Sequence, residues 1–467
     1  MLTPACHCRD FSRSALLRRA AAQAGRGLPA IEPGMPFPAG TGLDRRSFLL
    51  RSAGLALSVY GAGRLGLPGL EEGIARAAAG GPAGGGRVLV SVFLDGGVDS
   101  LSVLFPAGDP GYRRLRPKLA LAESAGSPFA GDERLRWHPS VASLAELHGE
   151  GKVSVLPAVG YTHPDQSHFT SRHFWEVGAT DAGLRTGWLG RWLDTTGSAD
   201  NPLQGLSLDG QLHPALATAS APVAAVDGPG EYDFWAAGVW GEVHERMLQA
   251  LAPLGEASLG DDPALRVAGE TAIRSAHLRK ELEPFAGEDG KPAYKSPVGY
   301  PLSEDDFPKR LAGLAAMLAA GLPIRCVALS APGSYDTHSA QPKALSEGLE
   351  LTAASLLAFQ RDLEARGLAD RVLVHVWSEF GRRAKENGSL GTDHGAAGIG
   401  FLVGSRVRGG LIGEFPGLAG GLDGDGNLRS TADFRGLYAA ILEQWLETDA
   451  AAVLPGAERF ERPQLLS

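Results

Sequence analysis

Four β-branched apolar runs, each ending in a loop rich in Gly, Ser, Asp or His, constrain this chain more than any other feature. Arg87–Leu94 reads Arg-Val-Leu-Val-Ser-Val-Phe-Leu and stops at Asp95-Gly96-Gly97. Lys152–Val159, Leu322–Ser330 and Arg371–Ser378 have the same character. Short runs with no polar alternation are the pattern of strands buried on both faces, as in a parallel sheet. Between them apolar residues recur at helical spacing: Leu311, Leu314, Ala315 and Leu318 ahead of Gly321, then Leu345, Leu349, Ala353, Leu356, Phe359 and Leu363 ahead of Gly367. Those glycines stand where helix C-caps are expected. Strands alternating with amphipathic helices predict an α/β fold, a doubly wound and mostly parallel sheet covered on both faces, with ligands at the carboxyl ends of the strands. Residues 180–300 fit this rhythm poorly and read as an inserted cap region on the same domain, with a helical piece around Trp240–Leu251.

The first 77 residues have a different character. From Asp44 the chain runs Asp-Arg-Arg-Ser-Phe-Leu-Leu, then a moderately apolar stretch from Phe48 to about Leu67, then Ala75-Arg76-Ala77. An arginine pair, a weak hydrophobic region and a small-x-small cleavage site together make a twin-arginine export signal. A membrane-spanning helix is disfavoured, because Arg51, Arg64 and several glycines interrupt a run that barely reaches the roughly 20 residues needed. The expectation is a signal segment over 1–77, a linker over 78–86 rich in Ala, Gly and Pro, and one domain over 87–467. Gly61-Ala62-Gly63-Arg64-Leu65-Gly66 matches a dinucleotide-binding pattern but follows no strand, so it carries no such site.

Charge is divided along the same line. Residues 1–77 hold ten Arg and five Asp or Glu, a net +5 against −9 for the whole chain, which leaves the body at −14. An acidic body excludes nucleic acid as an expected partner. Cys6 and Cys8 lie in the leader and Cys326 stands alone in the body, so no internal disulfide is possible after leader removal. An exported domain of this size must then rest on its core, which a bound metal could reinforce.

Four polar clusters follow the expected strands. Asp95-Gly96-Gly97-Val98-Asp99-Ser100 offers tight turning and two carboxylates that could reach a cation, or a turn using Asp and Gly for backbone reasons alone. Tyr161 to Phe169 contains His163, Asp165, Ser167 and His168, a nucleophile beside a base or ligand, or equally a capped helix start after Pro164. Asp336-Thr337-His338 puts a carboxylate and an imidazole within reach of one ion. The last cluster pairs Ser378-Glu379-Phe380-Gly381-Arg382-Arg383 with Gly391-Thr392-Asp393-His394-Gly395. There Glu379, Asp393 and His394 are candidate ligands, and Arg382 or Arg383 could clamp a phosphate or sulfate.

Other signals carry less. His138, His148, His213, His244, His277 and His375 have no companion acid at ligand spacing and read as structural or surface residues. Asp423-Gly424-Asp425-Gly426-Asn427 starts like a calcium loop but has Leu428 and Phe434 where an EF-hand needs Gly and Glu.

Taken in order, these motifs, with Gly187-Trp188-Leu189-Gly190-Arg191 among them, resemble the bacterial exported family called domain of unknown function 1501, over nearly all of residues 87–447. That family is grouped with the alkaline-phosphatase and sulfatase superfamily. The resemblance implies an alkaline-phosphatase-like fold binding one or two divalent metals, with Zn²⁺, Mn²⁺ and Ca²⁺ as candidates. It implies Asp95 or Asp99 as the first metal ligand and Ser167 as nucleophile. Asp336 and His338 would bind one metal, Glu379 would stand in the place of an Asp-His pair, and His394 would complete the set. Two departures accompany it: Glu379-Phe380 leaves one ligand of a dinuclear site missing, and Val98-Asp99-Ser100 replaces the usual Asn-Asp-Gly.

The expected function is a metal-dependent hydrolase of a small anionic phosphate or sulfate ester. Ser167, His168 and Arg382 form its catalytic set, and Asp95, Asp99, Asp336, His338, Glu379, Asp393 and His394 its metal set. Its other expected partner is the twin-arginine translocation machinery, with no stable membrane span in the mature chain and a final location that is periplasmic, cell-wall associated or secreted. A non-catalytic extracytoplasmic binding or secretion-associated protein with an incomplete metal site is the alternative, and a metal-dependent phosphotransferase or mutase a weaker third.

Overall fold

The computed structural model describes residues 59–60, 86–230, 239–260, 262–287 and 292–467. Its centre is β1 (Val88–Phe93), every residue of which is buried. Val88, Val90 and Val92 face one layer of the core while Leu89 and Phe93 face the other, the alternation that a pleated strand imposes. Around it lie β2 (Val153–Gly160), β3 (Gly205–Ser207), β4 (Val223–Ala225), β5 (Cys326–Ser330) and β6 (Val372–Trp377). The cluster of interest adds β7 (Arg382–Glu386), β8 (Thr392–His394) and β9 (Gly398–Val403).

The main sheet has ten strands, in the spatial order β4, β3, β5, β1, β6, β9, β2 through its middle. β5 and β6 flank β1 in parallel, with Val327 and Val374 opposite Val90. β9 alone in that middle run is antiparallel to its neighbours β6 and β2. Because β9 runs backwards, its amino end lies at the rim where the parallel strands end, and the β7–β8 ribbon just ahead of it is delivered there. A two-residue strand, Val59–Tyr60, pairs antiparallel with the edge of β4.

Helices cover both faces. On the side of Val90 lie α1 (Ala142–Gly149), α5 (Phe307–Ala319) and α6 (Gln341–Ala365), and on the side of Leu89 lie α2 (His168–Val177), α3 (Trp188–Thr196) and α7 (Phe434–Ala440). Between α3 and α5 in sequence, α4 (Gly241–Ala257) packs against a longer helix over Pro263–Leu282 as a hairpin. The expected doubly wound α/β sheet is therefore what forms.

The four predicted strands all appear, the third starting four residues later than its apolar run because Pro323 cannot donate to a ladder. Gly321 and Gly367 follow α5 and α6 with φ of +80° and +68°, as their C-terminal positions predicted. The cap expected over 180–300 is only partly separate. Strands β3 and β4 fall inside it and extend the main sheet parallel to β5, and three-residue strands give too little periodicity to be seen in a sequence. The expected signal segment and linker lie outside the described residues except for Val59, Tyr60 and Gly86. Among the described residues no helix is long and apolar enough to cross a membrane.

One core histidine has a stability consequence. His375 sits on β6, 1% exposed, with its ring edge-on to Tyr438 at 5.5 Å. Among the described residues neither ring nitrogen has a hydrogen-bond partner. Burial pushes its pKa down to about 3, so the folded protein holds it neutral while the unfolded chain takes up a proton below about pH 6.5. Its contribution is intact above that pH and is lost as pH falls toward 3. His375→Leu should flatten the acid limb of the stability–pH curve, by up to about 4 kcal/mol. Denaturant unfolding from pH 7 to pH 4 checks this, and parallel curves for the two proteins would refute it.

Candidate metal centre

The centre forms where β1 and β6 end side by side. After β1 the chain turns at Gly96 and Gly97, with φ of +115° and +74°. Both values lie in the region that side chains disfavour, and a β-carbon on Gly96 would collide with the Asp336 backbone and one on Gly97 with the Phe380 ring. The turn aims two N–H groups at the Glu379 carboxylate. Gly96 donates at 3.1 Å and Gly97 at 3.1 Å. Ser378 ties the same corner by donating to the Leu94 carbonyl at 2.8 Å and accepting from the Val98 nitrogen at 3.0 Å.

Helix α2 begins over this corner. Ser167 is its N-cap, its hydroxyl accepting from the Thr170 nitrogen at 3.5 Å. Ser171 fastens the helix by donating to the Glu379 carbonyl at 2.6 Å. His168, the first helical residue, places Nδ1 2.7 Å from Glu379 Oε1.

Three imidazoles then turn their Nε2 atoms toward one carboxylate oxygen. Asp336 Oδ1 lies 3.1 Å from His338 Nε2 and 3.4 Å from each of His168 Nε2 and His394 Nε2. The other nitrogen of every ring faces an acceptor: Glu379 for His168, the Gln166 carbonyl at 2.8 Å for His394, and Asp393 Oδ1 at 3.3 Å for His338. A ring that donates from Nδ1 keeps its lone pair at Nε2, and partners of this kind are what set the tautomer of metal-binding histidines. His338 Nε2 and His394 Nε2 approach to 2.9 Å. Two lone pairs at that distance, with a carboxylate beside them, repel unless a cation or a proton lies between. The ligand atoms of His168, Asp336 and His394 lie within 4.8 Å of one another and could hold a metal ion.

The electrostatics agree. Burial would raise the Asp336 carboxyl, but the hydrogen bonds of His168, His338 and His394 and the charge of Arg382 outweigh it and hold it well below the carboxylate range. Burial alone would lower His168, yet its bonds to Asp336 and Glu379 raise it to about 9. His394 is lowered, first by burial and further by the charges of His168 and Arg382, against the pull of Asp336. Glu379, wholly buried, is held below its ordinary value because the His168 bond and charge overcome the desolvation. Without a metal a proton therefore sits on His168 while His394 stays neutral, and a cation entering the centre would have to displace that proton to take the His168 Nε2 lone pair.

Several expected roles change. Glu379, expected as a ligand, has its oxygens engaged by Gly96, Gly97, Ser378 and His168 and orients the last of these. His168, placed in the expected catalytic set and read from the sequence as a base or a ligand, has the geometry of a candidate ligand. Asp99, expected as a ligand, is fully buried away from the centre. It accepts from Arg116 at 2.5 and 2.8 Å, from Ser102 at 2.6 Å and from Gln341 at 2.5 Å. Asp95 stands at the rim, 3.6 Å from Arg172 Nη1, and is not among the converging oxygens. Asp393, half exposed, steadies His338 and accepts from Asn387 at 3.2 Å.

Arg382, expected to orient an anion, is fully buried behind Asp336. Its donors go to the carbonyls of Gly96, Gly97, Tyr335 and Thr392 and, at 2.7 Å, to Asp336. With its side chain wholly buried, it presents no donor at the surface where a substrate would arrive. Arg383, the next residue on β7, points to the opposite face of the strand. The Gln166 carbonyl and Asn387 carried no sequence signal. Phe380, at the position where the resemblance to the alkaline-phosphatase and sulfatase superfamily implied a ligand, has its ring centre 4.8 Å from His168 and 4.9 Å from His394.

Fold and site together define a mixed α/β protein with a candidate histidine-rich metal centre at the carboxyl rim of its sheet. Residues 278–445 match the family model described as Protein of unknown function (DUF1501), so the resemblance drawn from the motifs holds over that segment. The match includes Asp336, His338, Glu379, Arg382, Asp393 and His394 and begins after Asp95, Ser167 and His168. No curated protein matches the chain. Among solved structures it is similar to a sulfatase from Pseudoalteromonas sp., with 12% identity over 85% of this chain and 76% of that one and a TM-score of 0.33. It is similar also to the soluble domain of lipooligosaccharide phosphoethanolamine transferase A from Neisseria meningitidis, with 12% identity over 77% and 88% and a TM-score of 0.34. A third is a protein in the alkaline phosphatase superfamily from Vibrio parahaemolyticus, with 10% identity over 79% and 67% and a TM-score of 0.30. Overlaps this slight carry no activity across.

Asp336→Ala, His168→Ala and His394→Ala should each strip metal from the purified full-length chain, read by elemental analysis. Asp99→Asn should keep the metal and instead lose about 3–5 kcal/mol of stability, because Arg116 would keep a buried charge without its partner. Metal loss in Asp99→Asn with unchanged unfolding would reverse these assignments.

Proposed function

We propose that this chain is an exported metal-dependent hydrolase of a phosphate or sulfate ester. The observation that carries the reading is the convergence of three imidazole nitrogens and the Asp336 carboxylate at the carboxyl rim of the sheet. The donor set fits a metal of the Zn²⁺ or Mn²⁺ kind, since imidazole-rich sites with one carboxylate suit such ions, whereas Ca²⁺ takes six to eight oxygens. His168, Asp336 and His394 would hold the ion with His338 beside them. A divalent ion there would supply Lewis-acid polarisation of an ester oxygen.

The chain's own residues support the rest. Ser167 caps a ten-residue helix, so its oxygen lies at the positive end of the helix dipole, where developing negative charge is stabilised. Among the described residues its hydroxyl accepts one long bond, from the Thr170 nitrogen. In this reading the Ser167 oxygen attacks phosphorus or sulfur and its proton passes to solvent. The alcohol oxygen departs, and water then cleaves the ester formed on Ser167. Glu379, Asp393 and the Gln166 carbonyl hold the three imidazoles in orientation throughout.

The non-catalytic alternative draws on one observation, that Arg382 is consumed inside the protein and cannot bind an anion. Turnover separates the two readings. The metal-loaded chain should hydrolyse an aryl phosphate or an aryl sulfate, and Ser167→Ala should lower kcat by about 10²-fold or more while metal content stays constant. No turnover of either ester would leave the binding reading in possession.

Export belongs to the same proposal. Asp44-Arg45-Arg46 and the weak apolar stretch after it support delivery to the twin-arginine machinery as a folded protein, which suits a metal loaded before transport. Arg45→Lys with Arg46→Lys should hold the chain in the cytoplasm with its leader uncut, seen by fractionation and immunoblot. Unchanged export of that variant would remove the proposal.

A further inference from the structure

An ester hydrolase needs a cation for the substrate's anionic oxygens, and Arg382 cannot be that cation. We infer that Arg172 binds a tetrahedral oxyanion at the rim of the centre, as the anion-orienting residue of the proposed reaction. The inference rests on the hydrolase reading and adds a residue that no motif singled out.

Arg172 lies on α2 one turn beyond His168, and residues four apart share a helix face. Its guanidinium is fixed from two sides. The carbon Cζ stands 4.2 Å above the centre of the Phe93 ring, at the last residue of β1. Nε donates to the fully buried Glu176 at 2.8 Å. These contacts set the plane of the fork and leave its two ends outward. Nη1 is 3.6 Å from Asp95 Oδ1, within an ion pair and too long for a hydrogen bond. Among the described residues Nη1 and Nη2 donate no hydrogen bond, although only 12% of the side chain is exposed.

A guanidinium anchored through Nε with its terminal nitrogens open has the geometry that grips two oxygens of a phosphate or sulfate. Its place follows from the chain. Asp95, its neighbour at the rim, is followed by Gly96, which donates to Glu379, and Glu379 holds His168. Because Arg172 follows His168 by one turn of α2, an oxyanion held by its fork would lie beside the His168 side of the centre. Arg382, by contrast, serves Asp336 and four carbonyls from behind. The two arginines have divided the work of position and recognition.

Calorimetric titration of the metal-loaded full chain with inorganic phosphate, and separately with inorganic sulfate, tests the assignment. The wild type should bind at least one, and the stronger arm names the ester class. Arg172→Lys, which keeps the charge and the apolar stem but loses the fork, and Arg172→Gln should each weaken that binding by about 10–100-fold. Metal content and near-ultraviolet circular dichroism should not change. Equal affinity in wild type and both variants would overturn the role of Arg172 and leave the hydrolase reading standing. A wild type that binds neither anion and turns over no ester would overturn both. Should the variants fail to fold, phenylglyoxal labelling of the wild type decides the matter: phosphate or sulfate should shield Arg172 from modification, and undiminished labelling would refute the assignment.

Discussion

The Glu379 carboxylate, seated on the N–H groups of Gly96 and Gly97, is the interaction on which the rim of this protein depends. It joins the end of β6 to the turn after β1 and, through His168 and Ser171, fastens the start of α2 over both. A buried carboxylate without partners would be severely destabilising. With two backbone donors, a serine hydroxyl and an imidazole it becomes a fixed negative point, around which the histidine must take one tautomer. Three stretches of chain far apart in sequence are brought to a single geometry by one side chain.

The same logic governs the other buried charges. Asp99 is matched by the fork of Arg116, with Ser102 and Gln341 completing its lone pairs. Arg382 is matched by four carbonyls and Asp336. Such sites contribute little net stability but punish any rearrangement, because breaking one contact leaves a charge in a low dielectric. A domain whose one described cysteine, Cys326, is free and buried thus has a rigid rim without a covalent staple.

The sheet was legible because its information is local. Val88–Phe93 and Val372–Trp377 declare themselves by an unbroken apolar composition, and the amphipathic period of Gln341–Ala365 marks its buried stripe. The location of the centre was legible for the same reason, since polar loops after parallel strands must share one rim. The roles within it were not. His168 and Glu379 are both residues that bind metals, and nothing in their spacing says that one would hold the other. Asp95 and Asp99 are four apart in one loop, yet the chirality of the Gly96-Gly97 turn sends Asp99 into the core and leaves Asp95 outside. The Gln166 carbonyl that orients His394 has no side-chain signature at all. Arg172 was hidden because its meaning lies in what it does not contact, which only coordinates display.

Glu379-Phe380, where the sequence resemblance implied an acid-histidine pair, divides its two side chains between support and packing. The glutamate, longer by one methylene than an aspartate, reaches the Gly96 and Gly97 donors and His168, and so it leaves the ligand set to become its support. The phenylalanine fills the space beside His168 and His394 with an apolar ring that offers no donor. Among the described residues the donor atoms then gather around one point. A tetrahedral anion brought there would meet less positive charge than a two-metal site provides, while its own charge is unchanged. On the hydrolase reading the deficit would be met by a protein cation with open donors, and at this rim Arg382 is wholly buried behind Asp336 whereas the terminal nitrogens of Arg172 donate no hydrogen bond among the described residues. The loss of a ligand at one position and the open guanidinium at another are, on this argument, two parts of one electrostatic balance.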